Sequence, residues 1–144
     1  MIEQDTIKLL RECDAGVKMG VESINDVIDY VSREDFRGLL LDCRAEHNKL
    51  DAEIEKLLDK YRDDGKEPSI IAKGMSKAKV NFKLAVKKND FIIADLMTDG
   101  CNMGVKSLNK YLNQYEAADE VSKDITKRLI NLEEKLAIDI RKYL

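Results

Sequence analysis

One histidine and one glutamate occupy positions where an amphipathic helix would otherwise place apolar side chains. His47 is the only histidine of the 144-residue chain, and it lies between Cys43 and Leu50 at helical spacing. Glu133 lies in the same way between two leucines near the carboxyl end of the chain. An isolated charge in a protein interior is costly, so each side chain needs a partner. We therefore expect His47 and Glu133 to form one buried, charge-assisted hydrogen bond.

The same residues also allow a metal site. Cys101 is expected at the level of Glu133, and Glu46 directly precedes His47. Mixed nitrogen, oxygen and sulfur ligands suit Zn²⁺ or Fe²⁺. The sequence thus leaves open a single ion bound by His47, Glu133 and either Cys101 or Glu46, although the pattern requires no cofactor. A third alternative is that Glu133 points outward and no site forms.

The sequence contains no recognisable catalytic arrangement. We find no glycine-rich phosphate loop after a strand and, with one histidine, no serine triad. The three cysteines, Cys13, Cys43 and Cys101, lie on or beside apolar stripes, where small apolar filler is the usual role. Cys43, one helical turn before His47, is the best candidate for a reactive thiol. We assign no catalytic residue and expect a protein that is not an enzyme.

Four segments must position these side chains. Apolar residues recur every three or four positions, which predicts helix A over about 5–31, helix B over about 33–63, helix C over about 90–115, and helix D after a turn at 117–119. Ser32 and Asp90 are the expected caps of helices B and C. Gly65 and Pro68 end helix B. The crossover at 65–90 is predicted to contain a short helix at about 76–87.

Helices A and C share a sequence motif. GVKMGVESIN begins at Gly16 and GCNMGVKSLN at Gly100, and six of the ten positions are identical. A shift of 86 places His47 on Glu133. These matches predict two duplicated antiparallel hairpins, 5–64 and 91–144, in one domain spanning 1–144. The helical glycines, each costing about 1 kcal/mol relative to alanine, indicate either close packing of helices or a hollow for a ligand.

Together these features give an all-α four-helix bundle with a long crossover, which resembles the ferritin-like superfamily. The stretches CDAG at 13–16 and CNMG at 101–104 resemble an uncharacterised bacterial branch of it. The resemblance implies a site for two irons or two manganese ions, bound through Glu-x-x-His motifs on two helices. This chain departs from that pattern, because Arg44 lies three residues before His47 and Ile130 lies three before Glu133. The implied di-metal ligands are therefore degenerate.

Composition and charge indicate which kinds of partner the chain can be expected to bind. Apolar residues make up 44 % and charged residues 37 %, and the net charge of −3 comes from interspersed signs, so nucleic acid is not expected. No apolar run reaches the roughly 18 residues that span a membrane. The N-terminus resembles no secretion signal, and three widely spaced cysteines are typical of reduced thiols in a cytoplasm. A homodimer through the Tyr111 face, or another protein partner, stays open, as does docking of the basic 73–88 segment to an acidic partner.

We expect, in sum, a bundle that works through binding or assembly without an intact di-metal centre. The alternative is a metal-binding redox or metal-storage protein with a reduced site at His47 and Glu133.

Overall fold

Four helices pack together in the computed structural model, which describes residues 2–68 and 89–144. They are α1 (Ile2–Val27), α2 (Glu34–Lys60), α3 (Asp90–Gln114) and α4 (Glu120–Asp139), with single 3-10 turns at Ile28–Tyr30 and Arg141–Tyr143. These two ranges contain no strand. The prediction of an all-α helical bundle is therefore confirmed. The short helix predicted within the crossover lies outside the described residues.

Two predicted helix caps are wrong, and one side chain explains both. The N-cap of α2 is Arg33, without a side-chain hydrogen bond, and the N-cap of α3 is Asn89, whose side chain accepts from the backbone N–H of Ile92. Asp90 instead accepts the backbone N–H groups of Ser32 and Arg33 at 2.8 and 3.0 Å. Because both oxygens of Asp90 accept hydrogen bonds from the turn between α1 and α2, Asp90 does not cap its own helix. This contact fixes the start of α3 against that turn.

Contacts between the helices give their relative directions. Arg44 of α2 donates to Asn25 of α1, and Gly20 of α1 lies against His47 of α2, so these two helices are antiparallel. Helices α1 and α4 run in the same direction, because Cys13 contacts Thr126 with Sγ and Oγ1 3.1 Å apart, and Gly20, further along α1, lies beside Glu133, further along α4. Helix α2 therefore ends at the end of the bundle opposite to the one where α3 begins.

The core consists of two apolar clusters, one toward each end of the bundle. The first includes Ile24, Phe36, Leu40, Ile93, Met97, Leu136 and Ile140. The second includes Leu10, Val17, Leu50, Ile54, Leu108, Ile125 and Leu129. Between them lies one layer to which each helix contributes one residue, namely Gly20, His47, Gly104 and Glu133. The two polar side chains of the predicted pair are thus held at mid-bundle between apolar layers.

Candidate functional site

The imidazole and the carboxylate of the mid-bundle layer meet directly. Nε2 of His47 lies 3.1 Å from Oε1 of Glu133. The side chain of His47 is 1 % exposed and that of Glu133 is 12 % exposed. The predicted buried hydrogen bond between them is therefore present, and the alternative in which Glu133 points outward is wrong.

The second ring nitrogen of His47 forms a hydrogen bond with its own helix. Nδ1 lies 2.9 Å from the carbonyl oxygen of Cys43, one turn earlier in α2. A carbonyl oxygen can only accept, so Nδ1 carries a hydrogen. Burial alone lowers the pKa of His47, but the hydrogen bonds to the Cys43 thiol, whose Sγ is 3.5 Å from Nδ1, and to Glu133 outweigh it and raise the pKa to about 10. This raised pKa favours an imidazolium that donates from both nitrogens, and so a buried ion pair in the layer.

The two glycines of the layer make room for the pair. A Cβ on Gly20 would lie 2.8 Å from Nε2 of His47, closer than side chains pack, and one on Gly104 would lie 3.5 Å from Cδ of Glu133. Gly16 faces two leucine side chains, and a Cβ on Gly100 would meet nothing within 4 Å. Gly20 and Gly104 are therefore explained neither by close helix packing nor by a hollow for a ligand. The space is filled by the polar side chains of the facing helices.

Of the other two predicted ligands, the structure brings in one and leaves one out. Cys101 is buried near Glu133; burial and then the charge of Glu133 raise the pKa of the thiol far above its usual range. Glu46 lies on the outer face of α2, where its carboxylate is 3.2 Å from Nζ of Lys49. Adjacent residues on a helix point about 100° apart, which is why Glu46 does not follow His47 inward.

The residues present do not fit a di-metal centre. His47 and Glu133 are one nitrogen ligand and one carboxylate, and the Glu-x-x-His positions are Arg44 and Ile130. In the described part of the chain, the group of three His, Cys, Asp or Glu side chains whose ligand atoms all lie within 4.8 Å is elsewhere, at Asp14, Asp51 and Glu55. The interior layer is therefore short of ligands for two metal ions. A single ion at His47, Glu133 and Cys101 stays a prediction.

Burial makes the thiols of Cys13 and Cys101 poor nucleophiles. Cys13, Cys43 and Cys101 are all buried and free of disulfides. Burial raises the pKa of the Cys13 thiol to about 12, although a hydrogen bond to Thr126 partly opposes the shift. A nucleophilic thiol needs the opposite shift and some exposure. The role of small apolar filler thus fits Cys13 and Cys101.

Sequence reasoning missed the acidic group at Asp14, Asp51 and Glu55. Asp14 follows Cys13 on α1, while Asp51 and Glu55 are one turn apart on α2 beside the apolar stripe. The antiparallel register that pairs Gly20 with His47 places Asp14 between those two turns of α2. Had that register been applied to charged residues as well as to His47, the group could have been found.

A pocket and several exposed apolar side chains lie on the surface of the described residues. The pocket, of about 610 Å³, lies between the start of α2 and the end of α4 and is lined by Leu39, Ile138 and Tyr143 together with charged residues of both signs. Ile138 is 54 % exposed there. Tyr111 and Tyr115 stack with ring centroids 6.2 Å apart, and both are partly buried.

Comparison of the chain with protein-family models, with curated proteins and with solved structures found no match. No helix in the described ranges is both long enough and apolar enough to cross a bilayer. Any function must therefore be argued from the geometry of the chain itself.

Proposed function

We propose that this chain is a ferritin-like bundle that acts through binding or assembly and carries no metal chemistry in its core. The observation that supports this most is the closed ion pair of His47 and Glu133. The place where such a bundle would bind metal is filled by two side chains that satisfy each other. Chemistry in the interior would require this pair to open at the cost of an unpaired buried charge.

The ferritin-like part of the proposal is supported by the helix directions. Helix α2 ends at one end of the bundle, and Asp90 at the start of α3 contacts Ser32 and Arg33 at the other end. A connection between these opposite ends would be a long crossover, which is how ferritin-like bundles differ from simple up-and-down bundles. The duplication is supported by the equivalent places of Gly20 and Gly104, each beside one member of the ion pair.

Binding through the surface is supported by what the bundle leaves exposed. Apolar side chains at least half exposed include Phe91, Met103, Val121 and Ile138. The pocket beside Ile138 is also lined by Asp42, Arg141 and Lys142, so it offers charged groups of both signs next to an exposed apolar side chain. A protein partner or a second copy of the chain fits these features.

Metal analysis of protein purified without chelator tests the proposal. We expect no stoichiometric metal that depends on His47 or Glu133. Stoichiometric Zn or Fe that is lost in both His47→Ala and Glu133→Ala, and kept in Glu46→Gln, would contradict it. Sedimentation at two concentrations, for the wild type and for Ile138→Lys, tests assembly through the pocket.

A second candidate, a metal-binding redox or metal-storage protein, is favoured by one observation. Nε2 of His47 contacts the carboxylate of Glu133, the thiol of Cys101 lies near that carboxylate, and Nδ1 donates to a backbone carbonyl as it does in many histidines that bind metal. Titration with Co²⁺ separates the candidates. A thiolate-to-cobalt absorption band that disappears in Cys101→Ser would favour the second candidate, and its absence would favour the first.

A further inference from the structure

A second cluster of charged side chains lies between α1 and α2, away from the ion pair. Asp14, Asp51 and Glu55 each place a carboxylate oxygen within 4.8 Å of the other two. Asp14 is six residues before Gly20 on α1, or about 9 Å along the helix, so the cluster is separate from the His47 layer. Like charges this close repel unless something between them compensates.

Two buried oxygens in this cluster lack a donor. Oδ1 of Asp14 and Oδ1 of Asp51 are inaccessible to solvent and form no hydrogen bond with any N–H or O–H group of the described residues. The side chain of Asp14 is 1 % exposed, so solvent cannot supply the missing partner. Buried polar atoms are almost always paired in native proteins. Two unpaired buried oxygens within one cluster of carboxylates therefore indicate a missing positive group.

The nearby cation does not fill that place. Nζ of Lys18 lies 3.0 Å from Oδ2 of Asp14 and 3.3 Å from Glu67. The backbone N–H of Lys66 donates to the same Oδ2 at 2.9 Å. Oδ2 is thus fully used to hold the chain after α2 against α1, where a Cβ on Gly65 would collide with the carboxylate. Oδ1 of the same carboxylate has no donor among the described residues.

We propose that Asp14, Asp51 and Glu55 bind one hard divalent cation, such as Mn²⁺, Mg²⁺ or Ca²⁺. The site offers only oxygen ligands, which these ions prefer and which do not select Zn²⁺ or Cu²⁺. Three carboxylates fill part of a coordination shell of six or more, and water completes it on the side of Glu55, which is exposed. Asp14, fixed by Lys18 and Lys66, supplies the rigid ligand, and α2 supplies the other two one turn apart.

The environment of Asp51 agrees with this site. Burial, the charge of Glu55 and that of Asp14 raise the pKa of Asp51 to about 6 when no cation is bound. When Asp51 is ionised, its charge lies beside the carboxyls of Asp14 and Glu55, and Lys18 partly offsets it. The same geometry also allows the two orphaned oxygens to share one proton, and the experiment below distinguishes a proton from a cation.

Titration of the chelator-treated full chain with Mn²⁺, followed by the electron paramagnetic resonance of the free ion, tests the proposal. We expect one saturable equivalent, displaced by Ca²⁺ or Mg²⁺. Asp51→Asn and Glu55→Gln, which keep the shape of each side chain, should weaken binding roughly tenfold or more because ligand charge sets the affinity of such sites. Glu46→Gln, an exposed carboxylate of the same helix, is the matched control and should bind like the wild type.

Three results would overturn the site. One is the absence of saturable binding at millimolar Mn²⁺ together with an Asp51 carboxyl that titrates near pH 6, which would mean a shared proton. Another is equal binding by Asp51→Asn and Glu46→Gln. The third is loss of the bound ion in His47→Ala, which would assign it to the core. Glu55 is exposed, so Glu55→Gln gives a folded variant even if replacement of Asp51 perturbs the fold.

Discussion

Replacing His47 by leucine is expected to destabilise the bundle strongly, unless Glu133 is replaced as well. The single change leaves a buried carboxylate without its imidazole partner, and the neighbouring thiol of Cys101 is only a weak donor. Removing one partner of a buried ion pair typically costs about 3–5 kcal/mol. We expect about 3 kcal/mol here, because the Glu133 side chain retains 12 % exposure and can take up a proton.

Replacing Glu133 by leucine is expected to cost less, about 2 kcal/mol. The imidazole can become neutral while Nδ1 keeps its hydrogen bond to the Cys43 carbonyl, so one unpaired nitrogen remains. In the double variant no polar group is left unpaired, and apolar replacements of buried pairs are often neutral or stabilising. The double variant should therefore lose at least about 1.5 kcal/mol less than the sum of the single losses.

Urea denaturation at pH 7, monitored by circular dichroism, measures these free energies of unfolding for the wild type, both single variants and the double variant. A coupling energy above about 1.5 kcal/mol supports the buried ion pair. Single losses that add up to the double loss within about 0.5 kcal/mol would mean that the two side chains do not interact, and the reasoning would fail.

Three further predictions concern the same core. Gly20→Ala should destabilise the bundle by about 1–3 kcal/mol because the new Cβ meets the His47 ring. Gly100→Ala should stabilise the bundle by about 0.5–1 kcal/mol through helix propensity alone. Equal free energies of unfolding for the two variants would contradict this. The pKa of His47 in the folded protein is raised to about 10, so the contribution of His47 to the free energy of unfolding is complete below about pH 6.5 and is lost as pH rises through 10. Urea unfolding between pH 6.5 and 10 should show this free energy falling by up to about 1.4 kcal/mol per pH unit. A free energy that does not change with pH would refute the prediction. Cys13 and Cys101 are buried with raised pKa values, so Ellman's reagent should react with them only after unfolding, and rapid reaction in the native state would be the contrary result.

The fold and the ion pair were largely predictable because both follow from periodicity. Apolar spacing of three or four residues locates the helices, and a polar residue within such a stripe must face the interior. His47 and Glu133 each stand within a stripe, and the shift of 86 that relates them led directly to their contact. The same periodicity excludes Glu46, one residue from the stripe, although it was retained as a candidate ligand.

What the sequence could not provide depended on contacts distant along the chain. Asp90 was expected to cap its own helix, but the turn between α1 and α2 lies close enough to take both of its oxygens. The space at Gly20 could be interpreted only once the His47 ring was located beside it. The group at Asp14 depends on the register of α1 against α2, and charged residues beside a stripe usually face solvent.

Nitrogen-15 NMR of the imidazole tests the central claim most directly, because His47 is the only histidine and its signals need no assignment. At pH 8 the buried ion pair predicts that both ring nitrogens carry a proton, and that the ring in Glu133→Leu becomes neutral. A neutral ring that titrates near pH 6.5 in the wild type, or an Nε2 coordinated to a metal ion, would contradict the account.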